Sequence, residues 1–217
     1  MRKFKIKVTG TTDLIMHNGR TANRLDPATK EISQAYKAFK QNETDETFND
    51  LARAEFMGGL YQVESIGPCW PAENFHSALK NAGAKIKRGR GNLKRPVASA
   101  VTFDTTDFPL VYAAFGGRTA PRKPDELWDD PNYRLTKAVK VQSSKVMRTR
   151  PLFKTWQFEA TGLLDTEILD LDDLRATAVT AGQLVGLGDW RPEKTGSYGK
   201  FTAEVTDLGE YDPLKVP

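Results

Sequence analysis

The chain has 217 residues, 39% hydrophobic and 28% charged, with a formal net charge of +4 and a pI near 9.1. That length makes one large domain with a real core, and many charges of both signs permit a nucleic-acid partner without demanding one. A lone cysteine, Cys69, excludes an internal disulfide, and no apolar run reaches membrane-spanning length; a cytoplasmic protein without a signal peptide is expected.

Phe4, Ile6 and Val8 alternate with Lys3, Lys5 and Lys7, the period-two pattern of a half-buried strand. The lysine side reads as a solvated face. Gly10-Thr11-Thr12-Asp13 ends this strand, and Leu14-Ile15-Met16 leads into His17-Asn18-Gly19-Arg20. A helix is predicted from Asp26, capped there or at Thr29, with Ile32, Ala35, Tyr36 and Phe39 as its apolar stripe. A second helix spans Asp45 to Phe56, with Phe48, Leu51, Ala52 and Glu55-Phe56 at helical spacing, and Gly58-Gly59 stops it. Leu60 to Val63 reads as a short strand. Proline in the first turn then opens a helix from Pro71 to Gly83, whose buried face is Phe75, Ala78, Leu79 and Ala82.

The segment from Lys85 to Pro96 is half cationic (Lys85, Lys87, Arg88, Arg90, Lys94 and Arg95), and no acid interrupts it. Such a run is either a solvated loop or a surface for phosphates; because crowded like charges repel, phosphates are favoured. Val97 to Phe103 and Pro109 to Tyr112 read as short strands, and Ala113 to Lys123, which includes Arg118, as a basic loop. Asp125 to Trp128 forms a helical turn and Lys137 to Val141 a strand. Ser143 to Pro151, carrying Arg148 and Arg150, continues as a basic extended segment. Trp156, Phe158 and Ala160 alternate as a further strand. Asp170 caps a helix with Asp172 and Asp173 in its first turn and Leu174, Ala178, Ala181 and Val185 as its core stripe. Phe201, Ala203 and Val205 alternate as the last strand.

Between that helix and that strand lies Gly186-Leu187-Gly188-Asp189-Trp190-Arg191-Pro192-Glu193-Lys194-Thr195-Gly196-Ser197-Tyr198-Gly199-Lys200. Glycines let backbone amides approach a ligand, Arg191, Lys194 and Lys200 supply cations, and Trp190 and Tyr198 supply flat faces. Two readings stand at this point: a docking surface for a single strand, or a helix C-cap followed by an ordinary turn.

Reduced to its strongest elements, the order is strand (Lys3 to Val8), helix (Pro71 to Gly83), strand (Lys137 to Val141), strand (Phe153 to Ala160), helix (Leu171 to Val185) and strand (Lys200 to Val205). That is an α+β fold of ferredoxin-like (RRM-like) βαββαβ order. Three stretches resemble the RAMP superfamily, the RNA-binding subunits of CRISPR effector complexes and their relatives. Gly186-Leu187-Gly188 matches the first glycine pair of its hallmark loop, and Gly196-Ser197-Tyr198-Gly199 is a looser second pair with one extra residue. Trp70-Pro71 through Leu79-Lys80 is similar to its proline-initiated helix. Thr11-Thr12-Asp13-Leu14 is similar to the Thr-Pro-Leu that closes its first strand, without the proline. The resemblance implies a single RAMP-like domain over 1–217, with a helical insertion at 10–66 and a basic, thumb-like insertion at 84–135. Compact members of this kind are carried by phages and prophages.

What the resemblance implies is binding of single-stranded RNA or DNA by subunits that stack side by side along the strand, and the residues themselves offer no evident catalytic set, so a non-catalytic binder is expected. Arg20, Lys85, Lys87, Arg88, Arg90, Lys94, Arg95, Arg118, Arg148, Arg150, Arg191, Lys194 and Lys200 would meet phosphates in one trough beside the glycine loop, and Trp190 or Tyr198 would stack on bases or pack in the core. Some relatives are metal-independent ribonucleases that use a histidine. The only histidines here are His17 and His76, and each is expected to pack or hydrogen-bond rather than catalyse. No zinc-spaced cluster and no phosphate loop appears, so no metal and no cofactor is expected. A nuclease using His17 or His76, or a structural subunit without nucleic acid, are the alternatives.

Overall fold

Strict alternation along Arg2–Gly10 makes strand β1, with Phe4, Ile6 and Val8 buried and the lysines on the opposite face. The computed structural model describes residues 1–117, 119–141 and 144–212. After β1 come β2 (Leu14–Ile15), α1 (Pro27–Gln41), α2 (Asp45–Gly59), β3 (Gln62–Val63), β4 (Gly67–Pro71) and α3 (Ala72–Gly83). Then follow β5 (Lys87–Arg88), β6 (Gly91–Asn92), α4 (Lys94–Ala100), β7 (Val101–Phe103), β8 (Asp107–Pro109) and α5 (Pro124–Asp129). The last elements are β9 (Arg134–Val141), β10 (Ser144–Phe153), β11 (Gln157–Leu164), α6 (Leu171–Thr180) and β12 (Phe201–Glu210). The architecture is α+β with antiparallel strand pairs. Contacts divide it into two compact units: residues 1–14, 69–112 and 154–217, and residues 15–68 and 113–153.

The first unit is a four-stranded sheet in the order β12-β1-β11-β7. Ile6 stands opposite Ala160 on one side and Val205 on the other, so the inward rows of three strands coincide. α3 and α6 supply the second layer. α3 buries Phe75, Ala78, Leu79 and Ala82 at i, i+3, i+4 and i+7. Phe75 is at the centre, its ring 5.3–6.2 Å from those of Phe103, Phe108, Phe158 and Phe201. Removing a ring so placed costs about 3–5 kcal/mol. Asp170 caps α6 by accepting from the Asp173 amide, and a single π-helical turn, Ala181–Val185, carries that helix into Gly186.

The second unit pairs two helices with a hairpin. Asp26 caps α1, with Pro27 at its first position, and Thr44 and Thr47 form a capping box on α2. α2 buries Leu51, Ala52, Ala54, Glu55 and Phe56, whereas no residue of α1 is buried. β9 and β10 pair from Arg134–Pro151 to Val141–Ser144, in a sheet of order β2-β10-β9. Tyr133, Phe153, Phe56 and Trp128 fill the space beneath them.

Two expectations change. Lys137–Val141, expected second in the main sheet, belongs to β9 in the second unit, and β7 holds the place between α3 and β11. The cause is β7's length: three residues flanked by a helix leave too little alternation to register. Val97–Ala100, read as the start of a strand, is helical. Pro96 sits in the first turn of α4, where its missing N–H costs nothing, and Val97 and Ala100 are buried at i, i+3. Of the stretches expected as insertions, 10–66 divides into 10–14 in the first unit and 15–66 in the second, and 84–135 into 84–112 in the first and 113–135 in the second.

Candidate nucleic-acid interface

The glycine loop is built by close backbone packing. Gly186, Gly188 and Gly199 have φ of +72°, +79° and +66°. A Cβ at Gly199 would lie 1.8 Å from the Leu187 oxygen, and one at Gly196 1.6 Å from the Trp190 oxygen. Leu187 N donates to the Gly199 carbonyl (2.9 Å), Tyr198 N to that of Trp190 (3.1 Å) and Gly196 N to that of Arg191 (3.0 Å). The loop is fastened to the end of β1, where Gly199 N donates to the Asp13 carbonyl (2.8 Å) and Lys200 N to Thr12 Oγ1 (2.9 Å). Thr11 N donates back to the Lys200 carbonyl (2.8 Å). The amides of Leu187, Gly196, Tyr198, Gly199 and Lys200 are therefore bonded to the chain itself. Arg191 is likewise occupied, donating to the Gly188 carbonyl (3.0 Å) and to Glu193 (2.9 Å). Trp190 and Tyr198 are half-buried, with ring centroids 6.1 Å apart. Lys194 is exposed and Lys200 half-buried, and no ion pair engages either among the described residues.

The basic segment takes a different shape. β5 and β6 form a two-residue hairpin that turns at Gly89 (φ +56°) with nothing near its Cβ position. Leu93 roots it: the side chain is buried and its amide donates to the Gly83 carbonyl (2.9 Å). Asn92 Oδ1 accepts from Lys94 N and so starts α4. Arg88 turns back onto Asp173 and, at 3.7 Å, Asp170. Lys85, Lys87, Arg90, Lys94 and Arg95 stay exposed, without an ion pair among the described residues.

These two cationic regions do not converge. Arg88 marks the start of α6, and the glycine loop follows its end. The loop bonds to the last residues of β1, a strand about 30 Å long. The hairpin instead lies beside α4, whose Ala100 carbonyl accepts from Asp165 N just beyond Leu164, the partner of Arg2 at the first residue of β1. The single trough expected from the sequence is thus two sites at opposite ends of the unit. On the sheet's open face Lys5 pairs with Glu159 (3.3 Å) and Lys3 with Asp104 (3.8 Å). The outward positions of β1, β11 and β12 carry Lys, Thr, Glu, Gln and Leu, so no aromatic platform lies among those described positions.

In the second unit the expected cations work as braces. Arg20 donates to the Gly58 carbonyl (3.1 Å) and to that of Met57 (2.5 Å), closing the end of α2. Arg148 donates to Glu55 (2.7 Å), whose other oxygen accepts from Thr149 N (2.8 Å). Arg150 Nη1 donates to the Thr149 carbonyl (3.2 Å). A cleft of about 360 Å³ opens here, lined by His17, Tyr36, Glu55, Arg148 and Arg150 among others. Arg118 lies outside the described residues.

Set against protein-family models and against curated proteins, the chain matches none. Function therefore has to be read from the geometry. Among the described residues no group of three or more His, Cys, Asp or Glu side chains is placed to hold a metal, and no helix is long and apolar enough to cross a membrane. His17 and His76 belong to different units. His76 is half-buried, donates through Nε2 toward the Val97 carbonyl (3.4 Å), and meets the Phe103 ring edge-on at 6.2 Å. Burial pulls its pKa below the ordinary value. His17 is exposed, 3.2 Å from Thr21 Oγ1, and lines the cleft.

Sequence reading missed the partners that occupy Arg88 and Arg148. Glu55 carried a signal, since it is a lone acid within the apolar stripe of Leu51, Ala52 and Phe56 and so called for a buried cation. Asp173 carried none, because a first-turn acid is explained by its own helix.

Proposed function

We propose that the protein is a non-catalytic binder of single-stranded nucleic acid, RNA or DNA, of the RAMP type, that oligomerises along the strand in the cytoplasm. The observation that carries this is the β5–β6 hairpin and the start of α4. Five cations are exposed there on an ordered, rooted element, while Arg88 alone is neutralised by the fold. Cations left unneutralised within a few residues of each other repel, and a polyanion relieves that repulsion by releasing its counterions. The sheet order β12-β1-β11-β7, with α3 and α6 as crossovers, supports a ferredoxin-like frame. Without aromatics on the sheet face, bases are not expected to stack there as they do on RRM sheets. The strand would instead run along the hairpin, held through its phosphates.

Anisotropy of labelled RNA and DNA oligonucleotides of increasing length tests this. Affinity should rise with length and fall with salt, with a log–log slope of about −0.7 for each phosphate neutralised. Reversing Lys87, Arg90, Lys94 and Arg95 to glutamate should abolish binding; unchanged behaviour would leave a structural subunit without nucleic acid. A second reading, a metal-independent endoribonuclease, is favoured at one residue only. His17 stands beside Arg148 and Arg150, which suits a base next to a phosphate, whereas His76 is held in packing. RNA cleaved without metal, and left intact by His17→Ala, would favour the enzyme.

A further inference from the structure

The second unit's cleft has features that the phosphate-binding hairpin does not use. We infer that it is a site for one phosphorylated nucleotide, with the base against Ile32, Tyr36 and Leu51 and the phosphate toward Arg148, Arg150 and His17. Its volume, about 360 Å³, lies within the range of small-molecule sites. Its lining is mixed. Apolar surface comes from Ile32 and Tyr36 of α1 and Leu51 of α2, and Tyr36 remains 41% exposed. An exposed aromatic ring in a cleft offers a flat face to a base. The charged lining is Arg148, Arg150, His17 and Glu55, and both oxygens of Glu55 accept, one from Arg148 and one from Thr149 N. Thr21, Thr29 and Ser33 add hydroxyls suited to phosphate or sugar. Thr149 is buried and Arg148 is held by Glu55, so this part of the lining needs little ordering on binding.

The choice of a nucleotide rests on the nucleic-acid reading; the cleft itself uses none of the hairpin's cations, so the two fail separately. Calorimetry on the intact protein compares a nucleoside 5′-monophosphate, its nucleoside and inorganic phosphate. The monophosphate should bind at least about tenfold more tightly than either fragment, as expected when a charge-assisted phosphate contact and an apolar contact act together. Arg150→Gln should weaken it about tenfold. Ser33→Trp, on the exposed face of α1, should fill the cleft and abolish binding with both arginines in place. Lys87→Glu with Arg90→Glu should leave monophosphate binding intact even where strand binding is gone. Competition by oligonucleotides with and without a 5′-phosphate separates a strand terminus from a free nucleotide as the source. Equal binding of nucleoside and monophosphate, no binding of either, or binding that survives Ser33→Trp overturns the site, whatever the hairpin does with a strand.

Discussion

The two ends of the first unit's α6 carry similar residue types and put them to opposite uses. At its C-terminal end Arg191, Trp190, Tyr198 and four glycines are folded into one another, with the amides of Gly186, Gly196, Tyr198 and Gly199 bonded to nearby carbonyls and the Arg191 guanidinium to Gly188 and Glu193. At its N-terminal end a shorter glycine-bearing hairpin keeps five cations in water and surrenders only Arg88 to the helix. Composition alone would rank the glycine loop as the better ligand surface. Hydrogen-bond supply reverses that ranking, because a backbone amide has a single N–H and, once satisfied within the chain, has none left for a phosphate.

Glycine replacement gives the widest separation between the ends. Gly199→Ala places a methyl group 1.8 Å from the Leu187 oxygen at a φ of +66°, and that oxygen belongs to backbone held by the bond from Leu187 N to the Gly199 carbonyl. A loss of about 3 kcal/mol or more is expected, read as a Tm fall of about 10 °C. Gly89→Ala has a similar φ, +56°, but open space around it, and should cost only about 1 kcal/mol. Equal losses at the two glycines would mean that close packing does not set them apart.

Charge reversal separates the ends in the other direction. Replacing Lys87, Arg90, Lys94 and Arg95 by glutamate should lower strand affinity at least about 100-fold while moving stability by less than about 1 kcal/mol. Lys194→Glu, in the glycine loop, should change affinity less than about threefold, because a single lysine contributes one phosphate contact at most. A Lys194 effect as large as the fourfold reversal would restore the single trough that the geometry divides. Next in size is Arg191→Ala, which loses the bonds to Gly188 and Glu193 at a partly exposed pair and should cost about 1 kcal/mol with strand affinity unchanged.

Much of the frame was legible because burial imposes a period. β1, α3, α6 and β12 were found within a few residues, since Phe4-Ile6-Val8 and Phe75-Ala78-Leu79-Ala82 each meet a single core. β7 reads as part of a short strand, Val97 to Phe103, but has no place in the predicted frame, because three residues cannot display a period, and β9 takes its place because its alternation is long whichever sheet receives it. For the candidate site, residue types were legible and their partners were not. Arg88 and Arg90 look alike in sequence, and only the third dimension brings Asp170 and Asp173 to one of them.

The smallest expected effect concerns His76, on α3 between the two ends. Burial disfavours its charged form, so its folded pKa lies below the ordinary 6.5. The unfolded chain therefore binds a proton that the folded chain resists, and unfolding is favoured as pH falls through about 6.5 toward the folded value. Above that window His76 is neutral in both states and contributes no slope. His76→Gln keeps an N–H for the Val97 carbonyl and removes the titration, so its urea midpoint should change less between pH 7.5 and pH 5.5 than the parent's. A general base would show its loss in cleavage wherever its imidazole is neutral; a packing histidine shows it only in this slope. If the Gln variant kept the parent's full slope, the ring would not be the desolvated group that its place against Phe103 implies.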